Sequence, residues 1–146
     1  MEKLFELTNL YIASLRSLYL IHQHGHWTTK GLTFYGDHLL FERLYKQASE
    51  DADIAAEKMI GLFGESAFDY VKQFELIGKI GANYAKYEGN PIKMSLAIVA
   101  DFIKLSKQFY DYLESENKMT LGLDDLIMNL ANKQEESSYL LNQALK

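Results

Sequence analysis

The chain has 146 residues, 48% of them hydrophobic, and no cysteine. That length supports one domain with its own core, and the missing thiols exclude a disulfide framework, thiolate metal sites and cysteine nucleophiles while favouring a cytoplasmic address. A net charge of −5, with no Lys or Arg cluster at either end, disfavours direct DNA or RNA binding, and no run is apolar enough to predict a membrane span.

The opening residues place Glu2, Lys3, Glu6 and Arg16 among apolar positions, the pattern of an amphipathic helix rather than a signal peptide. Leu4, Leu7, Tyr11, Leu15 and Leu18 recur at three- and four-residue spacing and predict a first helix over about 2–28, with His22 and His26 continuing its stripe. Lys30-Gly31-Leu32-Thr33 breaks it. Gly31 suits a left-handed cap, and Thr33 is a candidate N-cap for a second helix over about 34–63 that stops at Gly64.

Residues 64–90 form a long connection that needs structure of its own, and Phe68, Val71, Phe74 and Ile77 predict a short helix there. Asn90 followed by Pro91, the only proline, is a strong helix start. Met94, Ile98, Phe102, Leu105, Phe109 and Leu113 then trace a third long helix, and Leu126, Leu130, Leu141 and Leu145 a fourth over about 121–145, with Asp124 and Asp125 in its first turn. The chain over 1–146 therefore reads as one all-α domain. Four long helices, with a long crossover containing a short helix between the second and third, make a ferritin-like four-helix bundle.

All four histidines lie between residues 22 and 38, and the second helix carries His38 with Glu42 and Asp53 with Glu57, each pair four apart on one face. The pairs are separated by about 16 Å of helical rise, whereas the ligands of one ion all lie about 2 Å from it. One chain alone cannot close such a site. Two copies of the helix packed antiparallel about a two-fold axis can: in one register His38 faces Glu57 of the partner subunit and Glu42 faces Asp53 of the partner subunit, because each pair is equally far from a common midpoint. His26 on the first helix adds a further imidazole. This nitrogen and oxygen set suits Fe(II), Mn(II) or Zn(II), and spacing alone leaves the metal open; the plainer alternative is a solvated helix face.

The stretch from Leu20 to Gly64, LIHQHGHWTTKGLTFYGDHLLFERLYKQASEDADIAAEKMIGLFG, closely resembles the core signature of the Dps miniferritins: His-Trp, a basic residue and Gly, then Phe, His, Phe-Glu, Tyr, and finally Asp and Glu four apart. It covers about a third of the chain; the remainder matches in helix layout only. The resemblance implies that His26, His38 and Glu42 are the ferroxidase ligands from one subunit and Asp53 and Glu57 those from its two-fold mate, with Trp27 beside the centre. It further implies a hollow homo-oligomer of twelve subunits that oxidises Fe(II) with hydrogen peroxide or dioxygen and stores the ferric mineral. The Glu-x-x-His motif of intrasubunit di-iron centres is absent.

Within that reading His26 and His38 are nitrogen ligands, Asp53 and Glu57 anionic ligands, and Glu42 either a ligand or a hydrogen-bonding partner of one. His22 is an outer partner of the site or a core residue, and His24 a surface residue. Trp27 is a radical trap by family analogy or plain core packing, and Asp124 and Asp125 line an acidic iron-entry pore or simply favour the helix dipole. The rival readings are a DNA-protecting protein, whose Lys-rich terminal arm this sequence lacks, and a metal-bridged helical dimer without turnover.

Overall fold

The computed structural model describes residues 2–146. Its helices are α1 (Glu2–Thr28), α2 (Phe34–Phe63), α3 (Tyr70–Ala82), α4 (Pro91–Ser115) and α5 (Leu121–Leu145), with 3-10 turns at Glu65–Ala67 and Ala85–Tyr87 and no strand among the described residues. The four long helices form the bundle. α1 packs on α2 and α4, α5 closes it against α4 and α2, and α3 crosses one flank against α1.

Local chemistry sets most of the boundaries. Asn90 accepts the Lys93 N–H at 3.2 Å and Pro91 opens α4, while Thr120 accepts the Leu123 N–H at 3.0 Å and starts α5. Gly64, at φ +91°, ends α2 with its N–H on the Ile60 carbonyl. Thr33 is not the cap its position suggested. Its hydroxyl donates to the Asp37 carboxylate at 2.9 Å instead, and Gly31, at φ +101°, serves the turn into α2 rather than the end of α1.

The core is aromatic at its centre. Tyr11 lies 5.0 Å from both Phe102 and Phe109, and burial pushes its phenol up from the ordinary range while its hydroxyl pairs with Ser106. The inward stripe of α2 runs Phe41, Leu44, Ala48, Asp51, Ala55, Met59, so one carboxylate occupies a core position. Asp51 is 1% exposed and is held by Lys133 of α5 at 2.9 Å, with its second oxygen unpartnered. Burial raises the Asp51 carboxyl and Lys133 pulls it back.

A polar interlock pins the crossover. The buried Gln73 amide donates to the Asn9 carbonyl at 2.9 Å, and the Asn9 side chain accepts the Asp69 N–H at 2.7 Å. The apolar residues expected to bury this helix do so only in part. Val71 and Phe74 are 60% and 59% exposed, because the one face of α3 that meets α1 is occupied by Gln73. Leu145, placed in the α5 stripe by its spacing, is also exposed, as the last residue of its helix.

Candidate metal centre

The last turn of α1 and the first turns of α2 bring His26 and His38 face to face. Their rings stack at 3.7 Å with a 15° tilt, and each bonds the other's backbone: His26 Nδ1 donates to the His38 carbonyl and His38 Nδ1 to the His26 carbonyl, both at 2.8 Å. The His26 carbonyl lies in the final turn of α1, where helix carbonyls lack an intrahelical partner. A carbonyl only accepts, so each Nδ1 carries a proton. In the neutral rings this leaves both Nε2 lone pairs free for a cation. Phe34 stacks on His38 at 5.0 Å, and Tyr45 meets His26 edge-on at 5.3 Å, with Tyr19 edge-on to Tyr45 at 5.8 Å, so aromatic walls hold both imidazoles.

Glu42 lies one turn beyond His38. Its carboxyl is held below the usual range first by the hydrogen bond and charge of Lys46, 2.8 Å away, and to a lesser degree by His26 and His38, with desolvation opposing. A cation at Glu42 therefore competes with an exposed lysine, a weak rival in water.

Asp53 and Glu57 are exposed on the same helix and form no ion pair among the described residues. Asp53 borders a groove of about 750 Å³ between α1, α2 and the crossover, lined also by Tyr19, Leu20, Phe68 and Phe74. No three His, Asp or Glu side chains among the described residues converge closely enough to hold an ion. One chain thus presents a stacked imidazole pair and, well separated from it on α2, an exposed carboxylate pair.

No family model matches the chain. It is similar over 99% of its length, at 23% identity, to the DNA protection during starvation protein 2 of Bacillus anthracis, of which it spans 97%. The Dps of Thermosynechococcus elongatus superposes with a TM-score of 0.80 at 19% identity, covering 99% of this chain and 91% of that one. A Dps protein from Vibrio cholerae O1, described as a member of a broad superfamily of ferritin-like diiron-carboxylate proteins, superposes at 0.60 and 18% identity over 99% and 90% of the two chains. The chain has the Dps fold.

The remaining candidates are scattered. Trp27 is 68% exposed, so it does not pack in the core of its own subunit. His24 is a surface residue whose carbonyl accepts the Thr28 hydroxyl. Asp124, in the first turn of α5, accepts the Tyr110 hydroxyl at 3.2 Å, and Asp125, exposed, lies just beyond that turn rather than in it.

His22 is fully enclosed beside Ser95, 2.8 Å from Nδ1, and burial pushes its imidazole down to about 3 from 6.5. Between those values the unfolded chain binds a proton that the folded chain refuses. Its contribution is whole above pH 6.5 and falls as pH drops, by at most about 1.4 kcal/mol per unit. Urea unfolding of the metal-free protein at pH 7 and pH 5, at one protein concentration, should show His22→Gln losing about 2 kcal/mol less than the parent between the two. Equal losses would place the acid sensitivity elsewhere.

The ion pair of Asp51 with Lys133 and the contact of Lys46 with Glu42 escaped the reading of spacing. Both left a trace: Asp51 falls in register with Phe41, Leu44, Ala48 and Ala55, and Lys46 follows Glu42 by four residues.

Proposed function

We propose that the chain is an iron-storage and detoxification protein. In this reading two copies pair their α2 helices head to tail, so that the imidazole half-site of each meets the acidic half-site of the other and Fe(II), the substrate, is bound and oxidised between them. The observation that carries it is the tautomer lock on His26 and His38, which aims two free nitrogen lone pairs from one end of a helix face whose other end shows two unpaired carboxylates.

The donor set fits ferrous iron. Imidazole nitrogen and carboxylate oxygen accept Fe(II), the anionic oxygens favour the ferric product, and five side chains leave coordination positions for an oxidant across two ions. With hydrogen peroxide the balance is two Fe(II), one peroxide and two protons giving two Fe(III) and two waters. His26 and His38 bind through Nε2, and Asp53 and Glu57 of the partner subunit bring negative charge. Glu42 serves as a ligand once Lys46 releases it, or orients one.

The groove beside Asp53 and the bare apolar face of α3 supply surface for the two-fold contact. We read the assembly as a homo-oligomer, a hollow shell of twelve, at work in the cytoplasm. Among the described residues no helix is long and apolar enough to cross a membrane.

Stopped-flow mixing of Fe(II) with peroxide, and separately with dioxygen, tests the reading; the mass of the same preparation reports the shell. Rapid ferric absorbance growth is expected, faster with peroxide. A rate equal to that of buffer with both oxidants rejects the ferroxidase and leaves a metal-bridged dimer. The DNA-protecting reading is favoured by the name of the Bacillus anthracis relative and opposed by a net charge of −5. Protection here is best achieved by removing Fe(II) and peroxide together, and a retarded band at low salt would argue for direct binding.

A further inference from the structure

The reciprocal bonds between His26 and His38 require the backbones of α1 and α2 to come close, and the residues beside them show how. Gly25 precedes His26 and is buried against the ring of Phe41, one turn along from His38. A Cβ on Gly25 would lie 2.6, 2.7 and 2.8 Å from three carbons of that ring, nearer than real side chains pack. Phe41 is 0% exposed, so the ring cannot swing into solvent to make room and would have to displace packed neighbours. Glycine is a poor helix former, and position 25 lies within α1 rather than past its end. Its presence there is accounted for by the contact.

We propose that Gly25 is a positioning residue for the metal centre: its absent side chain leaves room for the Phe41 ring and so permits the α1–α2 separation at which each imidazole reaches the other chain segment's carbonyl. Gly25 does not touch the substrate. Adding a methyl group at Gly25 drives the helices apart or twists the ring, and a few tenths of an ångström separate a 2.8 Å bond from a poor one. Both rings then lose their fixed tautomer together, because the bonds are reciprocal. The consequence for metal binding rests on the function proposed above; the geometric claim does not.

The test uses the full-length, metal-free protein and three variants: Gly25→Ala, Phe41→Leu, and the two combined. Nitrogen-detected imidazole spectra report which ring nitrogen carries the proton, and Co(II) titration reports affinity. The parent and Phe41→Leu should show two Nδ1-protonated histidines at positions 26 and 38. Gly25→Ala should lose both signatures and bind Co(II) at least about 10-fold more weakly. The combined variant, whose smaller side chain makes room for the methyl group, should regain both signatures and come within about 3-fold of the parent's affinity.

Recovery in the combined variant supports the proposal even if Gly25→Ala alone does not fold. Retained signatures in Gly25→Ala, or no recovery in the combined variant, overturn it. If the parent itself does not bind Co(II), the metal reading fails, while the imidazole spectra still decide the positioning claim.

Discussion

Two inactive variants should restore iron oxidation when they are assembled together. Asp53→Ala with Glu57→Ala removes the acidic half-site, and His26→Ala with His38→Ala removes the imidazole half-site; each protein should oxidise Fe(II) at least ~100-fold more slowly than the parent. In a two-fold dimer built head to tail, a mixed pair contains one complete site and one site left with Glu42 alone. Random pairing of equal amounts makes about half the dimers mixed, so roughly a quarter of the sites, and of the rate, should return. Unfolding and reassembly of the mixture, with native mass spectrometry to verify mixed dimers, followed by stopped-flow ferric absorbance, makes the measurement. Mixed dimers without recovered activity would reject the shared site, and unchanged rates in the Asp53 and Glu57 variant would reject those ligands.

The second large effect concerns stability. Lys133→Met should destabilise the fold by about 3 kcal/mol at pH 7, because it leaves the Asp51 carboxylate buried without its partner. The lower end of the usual range applies because the Lys133 side chain is itself 35% exposed and already partly hydrated. Burial already raises the Asp51 carboxyl, and without Lys133 it rises further, so the folded variant takes up a proton before the unfolded one does. The deficit should therefore shrink as pH falls from 7 to 5. Replacing both partners, Asp51→Leu with Lys133→Met, should return stability to near the parent's or above it. Urea midpoints for the parent and both variants decide this, and a Lys133→Met protein as stable as the parent would show the pair to be dispensable.

Most of what the sequence determined about this protein is local. Helix limits at 2–28, 34–63 and 121–145, and the start of α4 at Pro91, follow from apolar spacing and from caps such as Asn90-Pro91, interactions that span four residues or fewer. The candidate ligands His38, Glu42, Asp53 and Glu57 were legible for the same reason, since positions on one helix share a face by geometry alone.

Contacts between helices were decided only by the tertiary structure. The His26 and His38 lock joins residues 12 apart through backbone carbonyls, and it needs an interhelical distance that no spacing rule contains. Asp51 and Lys133 meet across 82 residues. Trp27 is exposed on its own subunit, and α3 turns Val71 and Phe74 outward because Gln73 holds the inner face. Periodicity states which residues share a side of a helix; what that side meets depends on packing among distant segments, where volume, burial and hydrogen-bond demand are settled together.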